Sequence, residues 1–211
     1  MAAGRFITFE GGEGCGKSTQ IRLLAERLRA AGKEVLLTRE PGGTALAEKI
    51  RSLVREESDD PPNSRAETLL FIASRAQVVE NVIRPTLASG TWVLCDRFAD
   101  STFAYQGYGR GLDLEELKRI NSFATGGLEP DRTILLNVSP EVSAKRMRAR
   151  EAATNTDADR MEKAGDSFHS RLRQGFLELA AAEPKRFAVI QADGGIEEVA
   201  EAVWNSIQPM L

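Results

Sequence analysis

Gly11, Gly12, Glu13, Gly14, Cys15, Gly16, Lys17 and Ser18 stand in the spacing G-x-x-x-x-G-K-[ST], the pattern of a phosphate-gripping loop, or P-loop. A polyphosphate carries several negative charges on closely spaced oxygens. Glycines let the backbone curl until successive N–H groups point inward at such oxygens, and a helix starting at Thr19 adds its positive N-terminal end. Lys17 is expected to reach the β- and γ-phosphates of a nucleoside triphosphate, and the Ser18 hydroxyl to sit on Mg²⁺. The context the pattern requires is present. The apolar, β-favouring Phe6-Ile7-Thr8-Phe9 precedes the loop, and Ile21, Leu24, Ala25 and Leu28 behind it share one helical face.

Other residues could act beside this loop. Asp96 closes the apolar run Thr91-Trp92-Val93-Leu94-Cys95, and an acid at the end of a buried strand is the usual second organiser of Mg²⁺ near a P-loop. Arg97 follows directly. Arg39-Glu40-Pro41-Gly42-Gly43-Thr44 breaks the strand-like run from Glu34. A loop at a strand's C-terminal end in an α/β sheet lies on the ligand side; a solvated loop is the alternative. Phe71 and Arg75 are i, i+4 and share a face. They read either as an aromatic plate beside a guanidinium that could hold a planar base, or as a core Phe with a surface Arg. The helix from Glu141 to Arg150 carries Lys145, Arg146, Arg148 and Arg150, and the polar stretch Glu151 to Arg160 follows. A basic helix end and a flexible loop can close over a polyphosphate as a lid. His169, the only histidine, has no partner motif and reads as a surface residue.

The elements that must position these groups follow from periodicity. Strand-like runs at residues 6–9, 34–39, 91–96, 133–138 and 187–190 alternate with helical patterns at 19–31, 45–55, 64–89, 114–124, 141–150, 166–182 and 196–207. Thr44 and Asp113 are expected N-caps. Pro85 is expected to end or kink the 64–89 helix, whose apolar stripe of Leu69, Ile72, Ala76, Val79 and Ile83 is wide enough to be covered on two sides. Ser101 to Tyr105 reads as a short helix and Gly107 to Gly111 as a loop. The fold expected is α/β: a P-loop NTPase fold with a five-stranded parallel sheet and helices on both faces. The chain reads as one domain, 1–211, with a lid around 148–162.

Composition narrows the class. In 211 residues, 42% hydrophobic and 28% charged, there is ample material for a core. A net charge of −3 argues against a nucleic-acid binder relying on bulk positive charge. No apolar run approaches the ~18 residues of a membrane span. Cys15 and Cys95 form no metal or redox motif and read as free thiols, so a cytoplasmic location is expected. A guanine-reading Asn-Lys-x-Asp is absent, which disfavours a GTPase-like switch.

Three stretches together resemble the thymidylate kinase family: Gly11 to Ser18, Arg39 to Thr44, and Asp96-Arg97-Phe98 leading into Ser101-Thr102 and Tyr105-Gln106-Gly107. The resemblance spans almost the whole chain. It implies transfer of the ATP γ-phosphoryl group to dTMP, with Mg²⁺ as cofactor. It places Glu13 near the 3′-hydroxyl of the deoxyribose, Phe71 on the thymine ring and Arg75 at its edge. Arg39 and Arg97 would hold the acceptor phosphate, Tyr105 would crowd the 2′ position, and Pro41, Thr102 and Gln106 would complete the dTMP site. Thr19 and Arg146 would join Gly11 to Ser18 at ATP. Ser18 and Asp96 would organise the metal, and Glu40-Pro41 is expected to be cis. No base stands among Gly12, Glu13, Gly14 and Cys15. The chain therefore resembles the bacterial type, which supplies its catalytic arginine from the lid: Arg150 first, Arg160 second, acting with Lys17, Asp96 and Arg97. Phe98 stands where the family often has tyrosine. The resemblance also implies a homodimer through the 64–89 helix, with small nucleotides as the other partners and neither nucleic acid nor membrane among them.

Overall fold

A computed structural model of the chain describes residues 4–56, 58–154 and 165–211. Its elements, in order, are β1 (Phe6–Glu10), α1 (Lys17–Ala30), β2 (Val35–Arg39), α2 (Ala45–Arg55), α3 (Ser64–Val78), a π-helical segment Val79–Ile83, α4 (Arg84–Ala88), β3 (Trp92–Asp96), α5 (Ala99–Thr102), a second π-helical segment Phe103–Gly109, α6 (Leu114–Thr125), β4 (Arg132–Asn137), α7 (Pro140–Thr154), α8 (Asp166–Ala182), β5 (Phe187–Gln191) and α9 (Ile196–Ile207). Among the described residues five strands form one parallel sheet in the order β2-β3-β1-β4-β5.

Side-chain alternation along the central strands divides the core in two. Phe6, Val93, Cys95 and Leu135 pack with Val78, Val79 and Ile83, with Leu117 of α6, and with Phe168, Leu172 and Phe176 of α8. Ile7, Phe9, Leu94, Ile134 and Leu136 pack with Leu24, Ala25 and Leu28 of α1 and Val199, Val203 and Ile207 of α9. Asp96 continues the parity of Trp92 and Leu94, so it ends β3 on the face that α1 covers. Both cysteines are free and buried.

The expected N-caps form: the Thr44 side chain accepts from Ala47 N, and Asp113 accepts from Glu116 N. The 64–89 helix is not a single α-helix. The chain remains helical through residue 88, but Val79–Ile83 is π-helical immediately before Pro85. Widening that turn accommodates a residue that can neither donate a backbone hydrogen bond nor tolerate the i−4 carbonyl at α-helical distance. Leu69 does not join the core stripe; it is 58% exposed. The expected loop at Gly107 is also revised, because helix continues to Gly109. These glycines serve close packing: a Cβ on Gly107 would lie 2.4 Å from Leu114 Cδ2, and one on Gly109 2.5 Å from Phe168 Cε2. Helix α7 runs past Arg150 to Thr154. Arg160 and much of the expected lid lie outside the described residues. His169 is half-buried, its ring edge-on to Phe168 at 5.6 Å.

Candidate active site

The phosphate loop is held against β4 and α7. Gly11 has φ +135°, and a Cβ there would lie 2.6 Å from Leu136 O; Gly14 has φ +67°, with Ser143 O 2.8 Å from the same position. Only glycine meets both demands. Ser143 Oγ donates to Glu13 O at 2.8 Å and pins the loop from α7. Lys17 is buried, and its ammonium donates to Gly11 O (3.1 Å), Gly12 O (3.0 Å) and Cys15 Sγ (3.5 Å). Its charge is thus fixed over the loop's own carbonyls, where incoming phosphate oxygens can compete for it.

Arg97 faces this loop across the sheet's C-terminal edge. Among the described residues it is the one non-glycine with a positive φ, +70°, a conformation that costs a side-chain-bearing residue about 1–3 kcal/mol and needs support. Glu10 supplies that support from the end of β1. Its carboxyl accepts from Phe98 N (2.7 Å), Ser101 N (3.3 Å) and Ser101 Oγ (2.6 Å). Burial and Asp100 push the Glu10 carboxyl up to about 7, against the pull of Ser101, Arg97 and the Phe98 N–H. The Arg97 guanidinium pairs with Glu13, donates to Gly11 O and Ser101 Oγ, and lies 5.0 Å from the Tyr105 ring centroid. Burial alone would raise the Glu13 carboxyl. Arg97, Lys17, the Tyr105 hydroxyl (3.2 Å) and Arg150 outweigh it and hold the group at about 2.

The expected pair of Phe71 with either a base-holding or a surface Arg75 meets a third arrangement. Both residues line the cavity, but Arg75 is 2% exposed and is a structural hub. It donates to Glu40 Oε2 (2.7 Å), Thr102 Oγ1 (3.0 Å), Asn121 Oδ1 (2.9 Å) and Phe98 O (3.0 Å). Four of its five N–H groups are thereby committed, and one Nη2 hydrogen is left for a ligand. The Phe98 ring lies 5.2 Å from the Arg75 guanidinium carbon. Glu40-Pro41 is cis. Arg39 is gripped by both carboxylate oxygens of Glu48, at 2.9 and 2.8 Å.

These groups surround one cavity of about 560 Å³. Residues 13–19 line one side; Arg39, Pro41, Phe71, Arg75, Asp96, Arg97, Thr102, Tyr105 and Gln106 line the other, with Arg146 and Arg150 also on the wall. Arg146 donates to Gly194 O at 3.2 Å. Gly11 and Gly12 are not on this wall. Sequence reasoning missed Glu10, Ser101, Asn121, Ser143 and the cavity-lining Arg51 and Arg55. Arg51 and Arg55 left a signal as i, i+4 arginines on the amphipathic α2, and Ser101 stood in the stretch after Asp96-Arg97 without being given a role. Asp96 Oδ1 is buried without a hydrogen-bond partner among the described residues. With the Ser18 hydroxyl on the same cavity wall, it makes a hard-oxygen donor set that fits Mg²⁺. No group of three or more His, Cys, Asp or Glu among the described residues could hold a metal alone; Mg²⁺ here would draw the rest of its shell from phosphate oxygens and water.

A parallel α/β sheet whose first strand feeds a phosphate loop, with an acid and arginines lining the same cavity, is the architecture of a P-loop nucleotide-binding protein. The family model described as Thymidylate kinase matches residues 9–203. A thymidylate kinase of Synechococcus sp. is 52% identical over 206 residues, covering 98% of this chain and 95% of the relative. One from Deinococcus radiodurans is 48% identical over 207 residues, covering 98% of both. The crystal structure of thymidylate kinase from Ehrlichia chaffeensis superposes with a TM-score of 0.79 at 35% identity, over 98% of this chain and 100% of that one. The chain belongs to the thymidylate kinase family. Its reaction is the family's, phosphoryl transfer from ATP to dTMP.

Proposed function

We propose that the chain carries out this transfer as a single domain, with Mg²⁺, in the cytoplasm, and with the roles divided as follows. A phosphate oxygen of dTMP attacks the γ-phosphorus of ATP, and the bond from that phosphorus to the β–γ bridging oxygen breaks, giving dTDP and ADP. The attacking oxygen is already anionic at neutral pH, so no strong base is required. The difficulty is bringing two polyanions together. Lys17 and the amides of residues 11–19 grip the donor phosphates, with Arg146 beside them. Arg97 and Arg39 hold the acceptor phosphate. Phe71, Arg75, Thr102 and Gln106 receive the base, and Glu13, Tyr105 and Pro41 receive the sugar. Ser18 and Asp96 would hold Mg²⁺, which when bound offsets phosphate charge. Arg150, on the cavity wall within α7, acts on the charge of the transferring phosphoryl group.

One observation carries this reading: donor and acceptor groups open onto the same cavity. The test is ADP release with ATP and Mg²⁺ across dTMP, dUMP, dCMP, dGMP, UMP and AMP. dTMP is expected to dominate; another dominant acceptor would overturn the base assignment. In the same assay Arg150→Ala is expected to lower turnover far more than it raises the KM for dTMP, because a lid arginine acts on transition-state charge. Unchanged turnover would remove Arg150 from catalysis.

We further infer a homodimer through α2, α3 and α6. These helices pack side by side and expose Leu46, Leu53, Leu69 and Phe123, the last 91% exposed. Leu46, Leu53, Leu69 and Phe123 on neighbouring helices supply the apolar contacts that a protein–protein interface requires. Light scattering at micromolar concentration is expected to give twice the chain mass, and Leu69→Glu/Phe123→Glu to give the monomer. A monomer without these changes would refute the dimer. Among the described residues no helix is long and apolar enough to cross a membrane.

A further inference from the structure

We propose that Glu67 is a positioning residue for base selection. By taking the amide nitrogen of Gln106 it leaves that amide's carbonyl oxygen as the end offered to the acceptor base. The inference rests on the reading of this cavity as the dTMP site.

Glu67 lies in the first turn of α3 and is 1% exposed. Gln106 lies in the π-helical segment Phe103–Gly109, is equally buried and lines the cavity. Gln106 Nε2 donates to Glu67 Oε1 at 3.0 Å, and Arg110 Nη2 stands 3.7 Å from Glu67 Oε2. The two ends of a carboxamide have nearly the same shape and opposite hydrogen-bonding sense. What one end meets therefore decides what the other presents. A carboxylate beside an arginine accepts and does not donate, so it selects the nitrogen of Gln106.

The consequence concerns pyrimidines. The edge of thymine offers an N3–H donor between two carbonyl oxygens. Cytosine offers a bare N3 acceptor beside an amino group. A carbonyl oxygen from Gln106 suits N3–H and repels the N3 lone pair, while the remaining Arg75 N–H suits a carbonyl of thymine and not the amino group of cytosine. Two walls of the pocket thus read the same edge in complementary senses. Turned over, Gln106 would present its NH₂ and favour the wrong base. A site built to hydrogen-bond one pattern rejects the other because its buried groups are left unpaired.

The test is the ratio of kcat/KM for dTMP to that for dCMP. Both values come from the same preparation, so the ratio is independent of how much of the enzyme is folded. In Glu67→Gln, Arg110 draws the oxygen of the new carboxamide, its NH₂ faces Gln106, and Gln106 turns over. The ratio is expected to fall by about tenfold or more, chiefly through a higher KM for dTMP, with the KM for ATP unchanged. The exchange Glu67→Gln/Gln106→Glu puts an acceptor-only group back on the cavity side and is expected to restore the preference. A parallel fall with both acceptors at constant ratio, or no recovery in the exchange variant, would overturn the proposal. An unaltered chain that does not prefer dTMP to dCMP would instead overturn the thymidylate reading beneath it.

Discussion

Arg97→Ala is expected to lower kcat/KM for dTMP by about 10³-fold or more while the protein stays folded. The magnitude is that of arginines that neutralise charge in phosphoryl transfer. The position is one the fold maintains at a cost, since a positive φ at Arg97 is held by three hydrogen bonds to the buried Glu10. Arg97→Lys keeps the charge but loses the planar fork that reaches Glu13, Gly11 O and Ser101 together, so it should recover only a small part of the loss. A second signature lies in stability. Glu13 is held at about 2 in the folded chain, below its ordinary 4.5, with Arg97 the largest cause lowering it. A depressed carboxyl contributes stability above its unfolded pKa, and that contribution is lost as pH falls through the folded value. Between pH 4.5 and 2 the unaltered chain should therefore lose stability more steeply than Arg97→Ala. A loss of activity below tenfold would take Arg97 out of phosphate handling.

Arg75→Met is expected to destabilise the protein by about 3–5 kcal/mol, lowering Tm by about 10 °C for a chain of this size. The reason is what remains behind. Glu40, with its side chain 4% exposed, keeps a buried carboxylate without its cation, and Thr102, Asn121 and Phe98 O lose a donor. Adding Glu40→Gln should recover part of the loss, because a neutral amide is less costly to bury than an unpaired charge. The pH dependence has a definite sign. Burial already raises the Glu40 carboxyl, and Arg75 opposes that rise. Without Arg75 the rise grows. A raised carboxyl leaves stability intact below its unfolded value and removes it as pH climbs through the folded one. Thermal unfolding should find Arg75→Met closer to the unaltered protein at pH 5 than at pH 8. A loss equal at both would mean that Glu40 does not carry the charge.

What could be read from the sequence divides along a physical line. The phosphate loop, the Asp96-Arg97 strand end and the alternation of strands with helices were legible because local spacing dictates them; α2, α8 and α9 form over the expected residues. The Arg75 hub was not legible. Its partners come from the β2–α2 loop, α5 and α6, and no local pattern ties an Asn on one helix to an Arg on another. Periodicity read 64–89 as one helix ended or kinked at Pro85 and gave no sign of the π-helical turn at Val79–Ile83, because a π-turn ahead of a proline alters hydrogen bonding without altering which residues are apolar. The glycines at 107 and 109 suggested a loop, but here the missing Cβ makes room for Leu114 and Phe168. Glu10 could be taken for the polar end of a strand until its bonds to the Arg97 turn were seen.

The sheet order also governs when the phosphate loop can exist. The loop hangs from β1, and β1 has no hydrogen-bonded neighbour among the next residues to be synthesised: its partners are β3 and β4. β2 is made next, but β3 must slot between it and β1. A chain emerging from the ribosome therefore carries its nucleotide-gripping segment early and can organise it only after Asp96, and fully only after Asn137. Phe6-Ile7-Thr8-Phe9, the most deeply covered strand of the finished molecule, is then the one left open longest to chaperones and to misassociation.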